Sequence, residues 1–286
     1  MKKNEVFVII DGHHLLFRMF YGMPPRIRTK DGILINAVIG FVGAIIKYIK
    51  SYKPQYFLVV FDSERPNFRS EFEDDYKGNR KLDFSNVSND ENPFIQLDII
   101  KKILDNLSIQ YCEIEGFETD DVIASYTNKY DEIQKYIISG DSDLLQLVNQ
   151  QTIVFMDRGK KSIIYDESMV IDKFQVNPSK IIDYKALIGD KTDNIKGLSG
   201  IGSKTAVKLL EQFGCIENIV RLSYNIMPKS LRYKIESGSE ILYRNKNLIK
   251  LHTDAPLKFT LDELTIEPYD YFERKTMDIL RENKYL

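Results

Sequence analysis

Cysteine, histidine and tryptophan are scarce in this chain. Its 286 residues include two cysteines, three histidines and no tryptophan. Cys112 and Cys215 are isolated in the sequence, which excludes a zinc-finger pattern and suits a reducing compartment, so we expect a cytoplasmic protein. His13 and His14 are adjacent, but the start of a helix explains them as well as acid–base chemistry does. We therefore assign them no catalytic role.

Long apolar runs are also missing. No apolar stretch approaches the roughly 18 residues that a membrane-spanning helix needs. The N-terminus carries a lysine pair, but the apolar run Val6–Ile10 that follows is short and leads directly into Asp11. This pattern predicts a first β-strand rather than a signal peptide, and we expect no membrane partner.

The chain lacks an excess of basic residues. Its formal net charge is −2, with 42 acidic and 40 basic residues. Nine of the acids fall where a folded chain could bring them together, and setting these aside leaves 33 acidic residues against the 40 basic ones. If cations neutralise those groups, the remaining surface is positive. The overall charge therefore neither supports nor excludes a nucleic-acid partner.

Apolar periodicity predicts an α/β fold. Short buried runs predict strands at 6–10, 57–61, 109–113, 136–139 and 152–156. Helical spacing separates several of them, at 34–49, 94–107 and 120–129. This alternation favours a doubly wound, mostly parallel sheet. From about residue 181 the pattern is mainly helical, so we predict a catalytic α/β domain at 1–178 and a helical region with a C-terminal segment at 179–286.

Nine acidic residues lie where predicted strands end or helices begin. They are Asp11, Asp62, Glu118, Asp120, Asp121, Asp141, Asp143, Asp190 and Asp193. A single aspartate after a strand is commonly a turn residue or a helix cap. Several separate acidic positions at element boundaries are harder to explain in that way, and the carboxyl ends of parallel strands meet at one edge of a sheet. Clustered carboxylates repel one another, so we predict a shared site for cations, with Mg²⁺ or Mn²⁺ favoured by the oxygen ligands.

A basic and aromatic stretch follows Asp62. It includes Arg69, Tyr76, Lys77 and Arg80, within a long polar excursion at about 65–93. Lys77 and Arg80 would share one face of a helix, where their charges could hold a phosphate while the Tyr76 ring stacks on a base. A solvated basic surface is the alternative. The position directly after Asp62 favours a lid over the acidic site.

A glycine-rich turn opens the helical region. The turn contains Gly197, Gly200 and Gly202, and the residues that follow are Ser203, Lys204, Thr205 and, further on, Lys208. Seven basic residues and only two acidic ones lie between positions 196 and 234. A plain helical hairpin is one interpretation, but the local charge and free backbone amides favour a clamp on a duplex backbone. The turn is not a P-loop, because GxxxxGK[ST] is absent.

Together these motifs resemble the 5′-nuclease family, which includes the nuclease domain of bacterial DNA polymerase I, phage 5′-exonucleases and flap endonucleases. The resemblance covers about residues 6–251. Its signatures are VIIDGHHLLFR, VVFDSERPNFR, YKGNR, GFETDDVIA, SGDSDLLQL and ALIGDKTDNIKGLSGIGSKTA. The chain resembles the free-standing bacterial 5′-3′ exonucleases, so we expect any coupling to DNA synthesis to occur through a separate polymerase.

The resemblance implies a PIN-like fold with a helix-two-turn-helix subdomain and a two-metal phosphodiesterase. One metal group would comprise Asp11, Asp62, Glu118, Asp120 and Asp121, and the other Asp141, Asp143, Asp190 and Asp193. In the arch, Lys77 and Arg80 would contact the scissile phosphate. The segment 197–205 would hold the duplex backbone, together with a K⁺ ion bound through carbonyl oxygens.

The expected function is metal-dependent 5′-3′ exonuclease and 5′-flap endonuclease activity in DNA replication and repair. The substrates would be duplexes with a 5′ end, a flap or a nick, with an RNA primer–DNA hybrid as a further candidate. We expect a monomer. Two alternatives stay open: a catalytically inactive binder of DNA structures, and a PIN-type ribonuclease.

Overall fold

A computed structural model describes residues 5–25, 27–63, 87–88, 90–282 and 285. Most of the predicted arch therefore lies outside the described residues, including Arg69, Tyr76, Lys77 and Arg80. Within the described part, no helix is both long enough and apolar enough to cross a membrane.

The strands follow the predicted apolar runs. They are β1 Val6–Asp11, β2 Tyr56–Val60, β3 Tyr111–Cys112, β4 Gln134–Ser139, β5 Thr152–Met156, β6 Ile163–Tyr165, and a small hairpin of β7 Gly189–Asp190 and β8 Ile195–Lys196. The apolar pattern of the sequence did not indicate β6 or the β7–β8 hairpin.

The helices alternate with these strands and then dominate the C-terminal part. They are α1 Gly12–Gly22, α2 Asn36–Tyr52, α3 Leu97–Asn106, α4 Thr119–Lys129, α5 Glu167–Phe174, α6 Ile181–Ile188, α7 Ser203–Phe213, α8 Ile216–Arg221, α9 Lys229–Ser237, α10 Ser239–Ile249 and α11 Tyr269–Glu282. Short 3₁₀ helices, among them Pro93–Gln96 and Asp143–Leu147, occupy several loops.

The main sheet has the order β3-β2-β1-β4-β5-β6. All neighbours pair in parallel except β5 and β6, which are antiparallel. The chain leaves β1 towards β2 on one side and later returns to β4 on the other, so the strand order reverses at β1. Ligand sites of doubly wound sheets form beyond the strand ends at such a reversal. The predicted α/β fold with a mostly parallel sheet is confirmed.

The central strand is buried on both faces. Phe7 and Ile9 contribute to a core shared with α4 and the C-terminal helices, whereas Val8 and Ile10 contribute to a core shared with α1, α2 and α11. A continuous apolar run in β1 serves both cores because successive side chains point to opposite faces. This packing fixes the register that carries Asp11 to the open edge of the sheet.

Candidate active site

A cleft of about 360 Å³ lies beyond the carboxyl ends of β1, β2 and β4. Five of the nine predicted acids line it: Asp11, Asp62, Glu118, Asp120 and Asp141. These residues come from four separate parts of the sequence. The parallel register brings them together, because each follows a strand or begins a helix at the same edge of the sheet.

Asp11 ends β1 and caps α1. Its Oδ1 accepts a hydrogen bond from the backbone amide of His14 at 2.9 Å, and its Oδ2 accepts one from the hydroxyl of Ser139 at 2.7 Å. Burial raises the pKa of Asp11, and the neighbouring Asp62 carboxylate adds to this, whereas His14 and Ser139 oppose it. These two hydrogen bonds hold the Asp11 carboxylate in a fixed orientation. A bound cation would stabilise the charged form of this carboxylate.

Asp62 lies just beyond β2 and is tied to two other elements. Its Oδ1 accepts the backbone amide of Thr119 at 2.9 Å, at the start of α4. Nδ1 of His13 is 2.9 Å from the backbone nitrogen of Asp62 and 3.4 Å from its Oδ2. Burial alone would raise the pKa of Asp62, but His13 and Thr119 outweigh it and hold this pKa below its usual range.

The acids at the start of α4 have different surroundings. Glu118 and Asp120 line the cleft, but Asp121 is fully buried and is absent from the residues around it. Oδ1 of Asp121 accepts the backbone amide of His252 at 2.8 Å, and its Oδ2 takes part in a capping box with Glu118. Asp121 therefore joins the start of α4 to the segment after α10, and this structure gives it a positioning role.

A second acidic cluster borders the cleft. Asp143, Asp190 and Asp193 each place a carboxylate oxygen within 4.8 Å of the others. The backbone amide of Asp143 donates to Oδ1 of Asp141 at 2.8 Å, which connects the cluster to the cleft. Burial raises the pKa of Asp143, and Asp141 and Asp193 add to this while Lys185 opposes it. Of the nine predicted acids, eight therefore line the cleft or belong to this cluster.

The hairpin between β7 and β8 presents Asp190 and Asp193. The backbone amide of Thr192 donates to Oδ1 of Asp190 at 2.7 Å, and Thr192 also lines the cleft. Gly189 and Gly197 let the two strands approach closely, because a Cβ on Gly197 would lie 2.4 Å from the backbone nitrogen of Gly189. Gly197 thus allows the close packing of the hairpin that carries Asp190 and Asp193, a role that was not predicted from the sequence.

Lys185 is a functional candidate that sequence reasoning missed. It lies on α6 with a side chain only 6% exposed, and its Nζ is 2.7 Å from Oδ2 of Asp190 and also contacts Oδ1 of Asp143. The hydroxyl of Ser142 is 2.8 Å away. Burial by itself would lower the pKa of Lys185, but the two carboxylates outweigh it and raise this pKa. No sequence motif distinguished this lysine, although it is five residues before Asp190.

Arg158 is a second residue that sequence reasoning missed. It lines the cleft, and its Nη2 donates to the carbonyl oxygen of Gly140 at 2.8 Å. Gly140 itself packs against His14, since a Cβ there would lie 2.2 Å from the imidazole. Arg158 follows β5, so the rule that located Asp11 and Asp141 at strand ends would have located it as well.

The predicted clamp residues lie at the start of α7 and in the turn before it. Gly202 precedes α7 and, having no side chain, cannot cap the helix. Ser203, Lys204 and Lys208 are exposed, and Thr205 is half-buried. Gly200 has a positive φ of 76° in the preceding turn. Amides of an uncapped helix start, next to lysines one turn apart, form a surface suited to phosphate.

Comparison with known proteins identifies the family. Residues 6–175 match the 5′-3′ exonuclease N-terminal resolvase-like domain, and residues 176–272 match the 5′-3′ exonuclease C-terminal SAM fold. The chain belongs to the 5′-3′ exonuclease family. A 5′-3′ exonuclease of Aquifex aeolicus is 36% identical over 268 residues, covering 93% of this chain and 88% of that protein.

Members of the family also occur within larger proteins. DNA polymerase I of Bacillus subtilis is 32% identical over 274 residues, which cover 94% of this chain but 30% of the polymerase. The chain likewise spans 31% of a DNA polymerase I of Caldicellulosiruptor bescii. The similarity to these polymerases is thus confined to about a third of their length.

Solved structures share the fold. A T5 5′-exonuclease with bound zinc ions superposes with a TM-score of 0.73 at 25% identity, covering 97% of this chain and 99% of that chain. A bacteriophage T5 flap endonuclease in complex with DNA and metal ions gives a TM-score of 0.73 at 24% identity, covering 97% of this chain and 98% of that chain. The predictions of a 5′-nuclease family member and of a 5′-3′ exonuclease are confirmed.

Proposed function

We propose that this exonuclease hydrolyses DNA phosphodiester bonds near 5′ ends with two Mg²⁺ ions held at the cleft. The observation that carries the proposal is the convergence of five acids on one cleft with a second acidic cluster at its border. The family membership and the metal ions bound to the T5 5′-exonuclease support it. Mn²⁺ would substitute for Mg²⁺, since both accept oxygen ligands.

The donor set fits divalent ions. One ion would be held by Asp11, Asp62, Glu118 and Asp120, with Asp121 supporting them from behind. The other would be held by Asp141, Asp143, Asp190 and Asp193. Carboxylates are hard oxygen ligands, and their number at short range requires cations for charge balance. When bound, such ions supply an activated water and stabilise charge on the reacting phosphate.

The chain's own residues orient the reaction. Ser139 and the His14 amide fix the Asp11 carboxylate, and the Thr119 amide fixes Asp62. Arg158 brings a guanidinium to the wall of the cleft, where it can neutralise a phosphate oxygen of the substrate. The products would carry a 5′-phosphate and a 3′-hydroxyl.

The arch residues stay a proposal from sequence. Lys77 and Arg80 would contact the scissile phosphate, while Arg69 and Tyr76 would contact the strand that passes over the cleft. The roles of all four residues rest on the motif that carries them. Substitution of Lys77 by alanine should slow single turnover more than it weakens binding.

The duplex would be held at α7. The start of that helix and its exposed Lys204 and Lys208 offer amides and charges to the phosphate backbone. Carbonyl oxygens of the preceding turn, residues 197–202, would hold a K⁺ ion, which would supply positive charge to the duplex backbone. We propose that flaps, nicks and recessed 5′ ends are the DNA substrates and that RNA primer–DNA hybrids are a further substrate. The protein would act as a cytoplasmic monomer beside a separate polymerase.

One assay tests the proposal. The protein is incubated with 5′-labelled flap, nicked and RNA-primed duplexes, with Mg²⁺ or with EDTA, and the products are sized. We expect Mg²⁺-dependent release near the 5′ end. Asp141→Ala should lose most cleavage yet bind DNA, while Asp172→Ala, which changes an exposed acid on α5 away from the cleft, should cleave normally.

Other outcomes distinguish the alternatives. Tight binding without any metal-dependent cleavage would indicate a DNA-structure binder. Cleavage of RNA strands alone would indicate a ribonuclease. Wild-type rates for Asp141→Ala would contradict the assignment of the cleft.

A further inference from the structure

Lys185 occupies an unusual position for a lysine. Its side chain is almost fully buried at the second acidic cluster, and it reaches Asp143 and Asp190 at once. The last turn of α6 carries it, where the helix dipole favours a cation. A buried ammonium persists only where several acceptors surround it.

Two other partly or fully buried lysines, Lys135 and Lys246, differ from Lys185 in the groups that they contact. Nζ of Lys135 donates to backbone carbonyls and meets no carboxylate of the cleft. Lys246 pairs with Asp183 and Glu217, away from the cleft. Lys185 alone among these three contacts carboxylates that we assign to a divalent ion.

The contacts leave little room for two cations. Oδ2 of Asp190 faces the ammonium, and its Oδ1 already accepts the amide of Thr192. A dication that binds Asp143 and Asp190 must therefore approach a fixed positive charge or displace it. At such short range the repulsion between a dication and an ammonium is substantial.

We propose that Lys185 is the resident counter-ion of the second acidic cluster: it holds Asp143 and Asp190 together in the metal-free protein and competes with the second divalent ion for them. The inference rests on the proposed metal-dependent function. Lys185 is a positioning residue in this role, because it acts through the ligands. It keeps the folded protein stable without metal and makes the second ion bind more weakly than the carboxylates alone would allow.

Metal binding without DNA tests this role. Mn²⁺ is titrated into the full chain, free Mn²⁺ is followed by electron paramagnetic resonance, and Tm is measured in EDTA and in Mn²⁺. Lys185→Met should bind one Mn²⁺ about tenfold more tightly than wild type, because a competing charge is gone. In EDTA its Tm should be lower than that of wild type, and Mn²⁺ should restore it.

Lys246→Met is the matched control. It also removes a lysine between two carboxylates, so its Tm in EDTA should fall. Its Mn²⁺ affinity should stay at the wild-type value, and Mn²⁺ should raise its Tm by no more than it raises the Tm of wild type. If Lys185→Met binds Mn²⁺ with unchanged or weaker affinity, the counter-ion role is wrong. If wild type binds no Mn²⁺, the proposed metal-dependent function fails instead.

A double variant covers the case in which Lys185→Met does not fold in EDTA. Adding Asp143→Asn to Lys185→Met removes one negative charge and restores the balance. We expect the double variant to fold in EDTA with a Tm closer to that of wild type than the Tm of Lys185→Met. A double variant no more stable than Lys185→Met would overturn it.

Discussion

The backbone amide of Thr119 donates a 2.9 Å hydrogen bond to Oδ1 of Asp62, across 57 positions of sequence. This bond joins the end of β2 to the first residue of α4. The amides at a helix start are unpaired within the helix and favour a carboxylate. Asp62 is thereby oriented and kept charged at the wall of the cleft.

Thr119→Pro should slow cleavage by about tenfold while DNA affinity stays near wild type, because orientation of a ligand is lost. Proline lacks the amide but is accepted at the first position of a helix, and the extended backbone of Glu118 suits a residue before proline. Single-turnover rates and a binding titration measure the two effects. Thr119→Ala keeps the amide and should lose far less. Equal rates for the two variants would show that the bond to Asp62 has no catalytic consequence.

Lys135→Met should lower the free energy of unfolding by about 3 kcal/mol. Lys135 is fully buried in β4, and its Nζ donates to the carbonyl oxygens of Tyr130, Asp131 and Ile133 at 2.7–3.1 Å. Methionine fills much of the space but leaves those carbonyls without this donor. Denaturant unfolding measures the loss, and Lys102→Met on the exposed face of α3 is the control. A loss no larger than that of the control would mean that solvent or other donors satisfy the carbonyls.

Much of the sheet could be predicted from the sequence because its strands are buried on both faces. Thr152–Met156 was predicted with the bounds that the structure shows. The same reasoning placed Asp11, Asp62 and Asp141 at one edge, since parallel strands share the direction of their ends. β6 escaped prediction because it is a three-residue antiparallel edge strand with two exposed isoleucines.

The roles of Asp121 and Lys185 depend on contacts between residues or elements that the sequence pattern does not reveal. Asp121 is one of three close-spaced acids at the start of α4, and its burial and the bond from His252, 131 positions away, distinguish it from Asp120. Lys185 has no distinguishing neighbour in sequence. Its role depends on where the β7–β8 hairpin returns Asp190, a two-residue pairing with no apolar pattern.

Dication binding should weaken as pH falls below neutrality and should release protons. The pKa values of Asp11 and Asp143 are raised above 3.8, chiefly by burial, so protons compete with metal at a higher pH than at an exposed carboxylate. The contribution of these two carboxyl groups to the stability of the metal-free protein should correspondingly fall as pH rises from 3.8 through the raised values, because their charged forms are buried. Calorimetric Mn²⁺ titrations in buffers of different ionisation enthalpy measure the released protons. Proton release near zero at mildly acidic pH would contradict the raised values.

Arg158→Gln should weaken DNA binding by about tenfold and reduce the slope of log K against log salt by about one. Arg158 is exposed on the wall of the cleft, and its bond to the carbonyl of Gly140 aims the guanidinium along that wall. Arg281→Gln changes an exposed arginine in the last turn of α11 and should leave both quantities unchanged. An unaltered salt slope for Arg158→Gln would mean that this guanidinium meets no phosphate.

Gly200→Ala should weaken duplex binding by about tenfold with little change in the rate of the bound complex. Gly200 has a φ of +76°, and a Cβ there would lie 2.2 Å from Nζ of Lys234, so the lysine must leave the turn before α7. Gly214→Ala is the matched control: its φ is +86°, but no described atom beyond its two chain neighbours lies within 4 Å of the added carbon. Both changes cost about 1 kcal/mol of backbone strain. Because this cost is shared, a difference in DNA affinity between the two variants, measured by salt-dependent titration, shows that the turn before α7 binds the duplex. Equal affinities for the two variants would place the duplex contact away from this turn.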